Sequence, residues 1–243
     1  MDVAWEDFGW ERLGHGIGRR RLPGWDATAG LVAGPEALLL YDTGATLREG
    51  VELRRQAEAL LGRRVTHIAL SHPHFDHVLG TAAFAGARVY GAVGLGGLLR
   101  DGAESMYASA VVHGVAEDEA ARSADTLVTP GHEVSGESTL DLGGGRRVLL
   151  ANVGPGHSGH DLAVLVPGSD GEPPVVFCGD LVEESGEPQA GDDAVPSRWP
   201  AALDRLLELG GEDALYVPGH GAVVDAAFVR AQRASLAERF AVA

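Results

Sequence analysis

Apolar residues follow two different spacings along this chain, and the changes between them predict a mixture of strands and helices. Short apolar runs that are rich in Val, Ile and Leu and are bounded by Gly, Pro or Asp are typical of buried strands. Such runs cover residues 28–32, 37–41, 65–70, 88–90, 139–142, 148–153, 162–166, 175–178 and 215–217. The first two belong to a β-meander predicted over residues 3–41, in which Gly and Pro supply the turns.

Apolar residues that recur every three or four positions predict helices between these strands. The more regular helices cover residues 47–61, 196–209 and 226–240. Gly62 is a suitable C-terminal stop for the first of them. A shorter helix is predicted over residues 77–84, and less regular helices over residues 93–126. Strands precede helices in both halves of the chain, which fits an α/β fold of two sheets between helices.

Composition and charge narrow the possible partners more than they narrow the fold. With 45% apolar and 22% charged residues, the 243-residue chain can bury a sizeable core, and we expect residues 1–243 to form a single domain. The formal net charge of -16 makes nucleic acid and anionic membrane surfaces poor partners. All 19 basic residues are Arg, so no Lys can serve as a nucleophile or an anion anchor.

Cysteine content and hydropathy bear on the compartment. Cys178 is the only cysteine, which excludes an intrachain disulfide and a Cys-rich zinc site. No run of 18 apolar residues predicts a membrane span, and the acidic first seven residues do not resemble a signal peptide. We therefore expect a cytoplasmic protein that acts on a small molecule, either as a monomer or as a homodimer.

One short segment carries most of the candidate chemistry. His72, His74, Asp76 and His77 fall within six residues, directly after the predicted strand 65–70. Imidazole and carboxylate donors together suit zinc, and also iron or manganese. No structural need calls for four such groups in one turn, so the cluster predicts a metal site.

Three later positions share one context and could complete the site. His157, Asp180 and His220 each come just past the predicted end of a strand and beside Gly. A strand end can aim a side chain rigidly, and Gly permits a close approach of the backbone. Three such residues downstream of the His-rich segment are therefore candidate metal ligands.

In this order, the donors resemble the full ligand set of the metallo-β-lactamase superfamily, and Asp42-Thr43-Gly44 resembles an element that follows an early strand in that family. The resemblance extends from the first strands through His220, and it implies a four-layer αββα sandwich with a dinuclear zinc site at one edge. One zinc would be held by His72, His74 and His157. The second would be held by Asp76, His77 and His220, with Asp180 bridging the two.

The resemblance also implies a reaction. Two cations that share a bridging water lower its pKa enough to give hydroxide near neutral pH, which attacks an ester, thioester, lactam or phosphoester. Asp76 and Asp180 would lower the net charge of the site and orient the hydroxide, which makes them the catalytic candidates. Asp42 could support the ligands or could simply cap a turn.

Departures from individual branches narrow the substrate. The best-known zinc β-lactamases carry Cys at the position of Asp180, no His at the position of His77, and many carry Lys at the position of Glu183. Glyoxalase II-type thioesterases share all seven ligands but add a C-terminal helical domain, whereas only 23 residues follow His220 here. The chain also leaves no room for the large inserted domain that nucleic-acid-processing members of the family carry. We therefore expect a compact hydrolase of small esters, lactones or thioesters.

Other interpretations remain open. An iron-containing oxidoreductase similar to a sulfur dioxygenase, a β-lactamase, or a binding protein that kept the metals could each use this scaffold. His160 is a rival ligand to His157, Tyr107 a candidate proton donor, and Trp25 a candidate for overhanging the substrate site. Cys178 is expected to be a buried strand residue that points away from the face of Phe177.

Overall fold

Two β-sheets form the centre of the molecule in the computed structural model, which describes residues 4–169 and 171–241. The first sheet has seven strands in the order of the chain: β1 (Glu11–Gly14), β2 (Ile17–Arg21), β3 (Thr28–Ala33), β4 (Leu38–Tyr41), β5 (His67–Ala69), β6 (Arg88–Ala92) and β7 (His132–Val134). The second has five: β8 (Glu137–Asp141), β9 (Arg147–Asn152), β10 (Leu162–Val166), β11 (Val175–Glu183) and β12 (Leu215–His220). Its spatial order is β12-β11-β10-β9-β8.

Helices cover the outer face of each sheet. Those of the first half of the chain are α1 (Leu47–Leu61), α2 (Phe75–Val78), α3 (Leu95–Asp101), α4 (Ala103–Val112) and α5 (Glu117–Asp125). Those of the second half are α6 (Trp199–Gly210) and α7 (Ala226–Arg239). Each described helix is too short or too polar to cross a membrane.

Three apolar clusters separate four layers. The first cluster joins α1 to α5 with the first sheet, the second lies between the sheets, and the third joins the second sheet with α6 and α7. Successive side chains of β4 point to opposite faces of the sheet: Leu39 and Tyr41 face the other sheet, and Leu40 faces the helices. Strands buried on both faces explain the continuous apolar runs of the sequence. The predicted αββα sandwich is confirmed.

Local signals at both ends explain α1, whose predicted bounds are confirmed. The Thr46 hydroxyl accepts a hydrogen bond of 3.1 Å from the amide of Glu49, which caps the N-terminus. Gly62 ends the helix with φ 66°, a left-handed conformation that costs Gly little.

The predicted helix over residues 77–84 was wrong at both ends. The helix α2 starts at Phe75, because His74 has an extended backbone and occupies the cap position. It ends at Val78, and residues 81–83 form a separate 3-10 turn. Backbone pairing with the Asp42-Thr43-Gly44 turn interrupts the helix, since the Thr43 amide donates to the carbonyl of His77.

The last two strands extend further than their apolar runs predicted. Because β11 and β12 pair in parallel up to Glu183 and His220, Asp180 and His220 lie within strands instead of just after them. His132 begins β7, a strand that the apolar runs of the sequence did not predict. Residue 3 of the predicted meander and the outermost residues of the predicted 1–243 domain lie outside the described residues.

The close stacking of the two sheets gives a first testable prediction. A Cβ atom added at Gly30 of β3 would overlap the ring of Phe177 on β11. We expect Gly30→Ala to lower the free energy of unfolding by about 1–3 kcal/mol, because the core must shift to admit the methyl group. Urea unfolding measures this change. Gly97→Ala is the matched control, since its Cβ would meet nothing within 4 Å and its helix should not lose stability.

Candidate metal centre

The predicted donors meet at one edge of the sandwich. The strands β4 and β5 run parallel in one sheet and β11 and β12 in the other, so their C-terminal ends collect at the same edge. The two sheets are tied there by hydrogen bonds from the Tyr41 hydroxyl to the carbonyl of Leu162 (2.9 Å) and from the Leu162 amide to the carbonyl of Ser71 (2.7 Å). Ser71 immediately precedes the His-rich segment, which is thereby brought against the second sheet.

A first donor group consists of His72, His74, His157 and Asp180. One donor atom of each lies within 4.8 Å of the others. His157 Nε2 lies 3.0 Å from His74 Nδ1 and 3.5 Å from Asp180 Oδ2. His72 Nε2 lies 3.6 Å from the same carboxylate oxygen. Three nitrogens and one oxygen around a common point match a zinc coordination shell.

A second donor group lies beside the first. It consists of Asp76, His77 and His220, again with one donor atom of each within 4.8 Å of the others. His220 Nε2 is 3.4 Å from Asp76 Oδ2 and 3.3 Å from Asp180 Oδ2. Asp180 Oδ1 lies 3.2 Å from His77 Nε2. The Asp180 carboxylate therefore faces both groups, and the structure brings all seven predicted ligands together.

Buried atoms without hydrogen bonds test whether the donors fit a metal. Within the described residues, six buried side-chain atoms lack a hydrogen-bond partner, and three of them are His72 Nε2, His77 Nε2 and Asp180 Oδ1. A buried polar atom without a partner is costly, so such atoms are rare in proteins. All three belong to the donor groups and lie toward their centre. This chemistry fits divalent cations held by imidazole and carboxylate.

Two neighbours fix the rings of the first segment. Asp42 Oδ2 accepts a hydrogen bond of 2.8 Å from His77 Nδ1, and its Oδ1 accepts one of 2.8 Å from the Ser71 amide. Ser71 Oγ lies 2.8 Å from His72 Nδ1. A carboxylate oxygen only accepts, so Nδ1 of His77 carries the proton and Nε2 is free to bind a metal. Asp42 therefore orients the ring of His77, a predicted ligand, instead of only capping a turn.

Carbonyl oxygens do the same for the ligands of the second sheet. The Gln189 carbonyl accepts from His157 Nδ1 at 3.1 Å, and the Trp25 carbonyl accepts from His220 Nδ1 at 2.7 Å. Both interactions leave Nε2 as the donor toward the centre. The Trp25 indole packs edge-on against Phe75 at 5.3 Å between ring centroids, so this residue braces the site from the β2–β3 loop.

In His74, Nδ1 and not Nε2 faces the centre of the donor group. Its Nε2 faces the carboxylate of Asp193 at 3.2 Å, while its Nδ1 faces His157 in the centre. Burial opposes a charge on His74, but the hydrogen bond with Asp193 and the charges of Asp193, Asp180 and Asp76 together outweigh burial and raise the pKa of His74. Asp193 lies 119 positions from His74 in a polar turn, and no sequence signal connects the two residues.

Charge is divided unevenly between the imidazoles of the two donor groups. Burial lowers the pKa of His72 well below its ordinary value and that of His157 to about 4. Burial also opposes a charge on His77 and His220, but the carboxylates around them, Asp180 foremost, together outweigh burial. They raise the pKa of His77 well above its ordinary value and that of His220 to about 9. The imidazoles in turn hold the pKa of Asp180 well below its ordinary value against burial. Cations that bind the second group would therefore displace the protons of His77 and His220.

Glu183, at the position where many zinc β-lactamases carry Lys, is a close neighbour of the donors that was not predicted as a ligand. It forms a further group with Asp180 and His220. Residues three apart on a regular strand face opposite ways, but the pairing of β11 shifts register between Gly179 and Glu183. Gly179, with φ 56°, was the available signal for this bulge. Burial and the charge of Asp180 raise the pKa of Glu183 to about 7.

The other candidates lie outside the donor groups. His160 Nδ1 lies 3.0 Å from the carbonyl of Val93, so the structure places His157 and not His160 among the donors. Tyr107 packs at the edge of the helix-side core. Cys178 is buried against α6 and α7, opposite Phe177, as expected.

Comparison with known proteins agrees with this arrangement. A family model described as the metallo-beta-lactamase superfamily matches residues 22–220. The chain belongs to the metallo-beta-lactamase superfamily. The protein from Xenopus laevis named metallo-beta-lactamase domain-containing protein 1 is 28% identical over 201 residues, which are 81% of this chain and 71% of that protein. The resemblance recognised in the ligand motifs is thereby confirmed.

Solved structures of metallo-beta-lactamases share the fold. The metallo-beta-lactamase FIM-1 from Pseudomonas aeruginosa, solved in a mono-zinc form, has a TM-score of 0.69 at 18% identity, with 96% of each chain covered. The metallo-beta-lactamase from Pontibacter korlensis has a TM-score of 0.70 at 21% identity, covering 93% of this chain and 97% of that one. Identity this low shows a common fold and leaves the substrate open.

Asp42 gives a prediction about metal affinity in this superfamily member. In Asp42→Asn, an amide group can face His77 Nδ1 and favour the ring form that protonates Nε2. We expect the affinity for zinc to fall about 10- to 100-fold, as for other residues that orient a ligand. Competition with a chromogenic chelator measures it. Asp213→Asn is the control. Asp213 is exposed and lies just before the N-terminal end of β12, whereas His220 lies at the C-terminal end. An unchanged affinity in Asp42→Asn would contradict the orienting role.

Asp161 gives a prediction about stability and pH. Burial raises the pKa of this carboxyl to about 7, against hydrogen bonds from the amide and hydroxyl of Ser158. Between pH 4 and 7 the folded protein therefore holds a proton that the unfolded chain releases. The free energy of unfolding should fall as pH rises through this window, by up to about 1.4 kcal/mol per pH unit. In Asp161→Asn, the free energy of unfolding measured with urea should lack this dependence on pH. Identical slopes of the free energy against pH in both proteins would refute the prediction.

Proposed function

We propose that this chain is a dinuclear zinc-dependent hydrolase that uses a metal-activated water on a small ester, lactone or thioester. The observation that carries the proposal is the pair of donor groups that share Asp180. When bound, two divalent cations would lower the pKa of a water molecule and polarise the oxygen of the scissile bond. Membership of a superfamily of generally metal-dependent hydrolases supports this activity.

The side chains of the chain have separate proposed roles. His72, His74 and His157 would hold one cation, and His77 and His220 would help to hold the second. Asp180 would contact both cations, and Asp76 would complete the second group. These two carboxylates offset the positive charge of the cations, and their oxygens can accept a hydrogen bond from the attacking water. They are our proposed catalytic residues.

Glu183 favours an ester, lactone or thioester over a β-lactam antibiotic. Its carboxyl is largely buried and lies within the reach of Asp180 and His220. An acidic group at this place repels a substrate carboxylate, whereas a basic group would attract it. Glu183 also favours a second candidate, an iron-containing oxidoreductase, because a further carboxylate beside imidazole suits iron.

Metal analysis combined with a substrate panel tests the proposal. Protein purified without added metal should contain two equivalents of zinc per chain, and it should hydrolyse at least one member of a panel of lactones, thioesters, aryl esters, β-lactams and phosphodiesters. Removal of zinc by a chelator should abolish this activity, and added zinc should restore it. Iron with a visible absorption band, together with no hydrolysis, would overturn the proposal in favour of the oxidoreductase. Manganese would keep the reaction but change the cofactor.

The location and the oligomeric state of the enzyme are part of the proposal. We propose a cytoplasmic enzyme that acts on a small molecule as a monomer or a homodimer. The net charge of -16 supports the expectation that nucleic acid is not its substrate.

A further inference from the structure

The bulge of β11 directs two carboxylates toward the donor groups. Between its pairs at Gly179 and Glu183, β11 has three residues where β12 has only Gly219. The three residues, Asp180 among them, are buried. Because β12 is too short here to pair with each of them, some backbone groups of the bulge need partners from elsewhere in the fold.

Gln232 of α7 supplies two of these partners. Its Oε1 accepts a hydrogen bond of 3.0 Å from the amide of Glu183, and its Nε2 donates one of 2.7 Å to the carbonyl of Leu181. A backbone amide only donates and a carbonyl only accepts, so both contacts fix the direction of the side-chain amide. Gln232 is itself buried, with 8% of its surface exposed. One buried side chain therefore holds the bulge on both sides of Val182.

Trp199 of α6 holds the bulge at one of the same points. Its Nε1 donates a hydrogen bond of 3.0 Å to the carbonyl of Leu181, and its ring packs edge-on against His157 at 5.4 Å between ring centroids. Of these two side chains, only Gln232 also holds the amide of Glu183. The helices thus hold the backbone of the bulge from one side, while the carboxylates of Asp180 and Glu183 lie beside His220 on the other.

We propose that Gln232 is a positioning residue of the metal centre, which fixes the bulge of β11 so that Asp180 and Glu183 keep their directions toward the donor groups. This inference rests on the proposed function, in which Asp180 contacts both cations. Without the amide of Gln232, the buried amide of Glu183 loses its partner, and the bulge must shift to find another. Such a shift moves Asp180 and, through the pairing of Glu183 with His220, the second donor group.

The first donor group should be affected less. Three of its four members are imidazoles on other parts of the chain, whereas the second group has both His220 and the shared Asp180 next to the bulge. The effect of Gln232 should therefore fall mainly on the more weakly bound of two zinc ions.

Zinc titration of Gln232→Met tests the proposal. Methionine has a similar length and can stay buried, but it can make neither hydrogen bond. We expect the dissociation constant of the weaker zinc equivalent to rise about tenfold, as when a residue that orients a ligand is lost, and that of the tighter equivalent to change less. Competition with a chromogenic chelator measures both constants. Gln232→Asn keeps the amide but is one methylene shorter, so it should show the same weakening, and it serves if Gln232→Met does not fold.

A matched variant on the same helix separates positioning from stability. Val229 lies on α7 three residues before Gln232 and is fully buried in the third apolar cluster. Val229→Ala should lower Tm, because it leaves a cavity, but it should leave both zinc dissociation constants unchanged. Equal weakening of zinc binding in Val229→Ala and Gln232→Met would show a merely structural role and overturn the proposal. Wild-type constants in the folded Gln232 variants would overturn it as well.

Zinc affinity is measured without turnover, so the outcome is separate from that of the proposed hydrolysis. If the wild type hydrolysed no member of the substrate panel but Gln232→Met weakened the second zinc equivalent, the proposed function would fail and the positioning role would stand. If the panel showed hydrolysis and both Gln232 variants kept wild-type zinc binding, the function would stand and the positioning role would fail.

Discussion

Replacing Asp180 with alanine is expected to abolish turnover on every substrate that the wild type cleaves, with little loss of fold. Asp180 is the one carboxylate that faces both donor groups, through Oδ1 toward His77 and Oδ2 toward His157 and His220. Without it, neither group keeps its full set of donors, and the positive charge of bound cations loses its central partner. Residues that hold a reacting group act together, so losing one can remove most of the rate enhancement.

The fold should persist because the backbone of residue 180 remains paired within β11. The Asp180 side chain lies outside the three apolar core clusters, and what the substitution removes is its charge interaction with His77 and His220 at the edge of the sandwich. Circular dichroism should therefore resemble that of the wild type, while zinc content should fall. Cys178→Ala, on the helix-facing side of the same strand, is the control that should keep activity. Full activity in Asp180→Ala would refute the bridging assignment.

The αββα fold could be predicted because strands buried on two faces leave long apolar runs. The runs over β4 and β10 predicted strands that the structure contains, and Gly62 marked the C-terminal end of α1. The short helix α2 could not be placed correctly, because its bounds depend on hydrogen bonds to the Asp42-Thr43-Gly44 turn. Such pairing across the fold overrides the local preference of the segment.

The donors could be predicted for a related reason, and the residues around them could not. Metal ligands carry their chemistry in their own side chains, so His157 and Asp180 were visible as residue types beside Gly at the ends of apolar runs. The residues that orient them act by position. Asp193 meets His74 across 119 positions, and a carbonyl such as that of Gln189 can come from any residue type. Glu183 was recognised by its position, but its direction toward the donors depends on a bulge in β11.

Gly219→Ala is expected to have the second largest effect, although it removes no donor. A Cβ atom at this position would overlap Asp180 Oδ1 and lie 2.8 Å from the amide nitrogen of Asp180. The neighbouring atoms are backbone or the proposed bridging carboxylate, so no flexible side-chain end can simply move aside. The strands β11 and β12 must separate locally, or the carboxylate must turn away from His77. Either change displaces a proposed ligand from its position between the two groups.

A displacement of about 1 Å in a catalytic group can cost about a hundredfold in rate, so we expect kcat/KM of Gly219→Ala to fall about a hundredfold or more. Zinc titration should show weaker binding of the second equivalent, because Asp180 contacts both groups and His220 directly follows the substituted position. Gly159→Ala is the matched control: its added Cβ would meet nothing within 4 Å although the loop carries His157. If Gly219→Ala kept wild-type kcat/KM and two tightly bound zinc ions, the carboxylate of Asp180 would not need the position between the donor groups, and its proposed contact with both cations would be wrong.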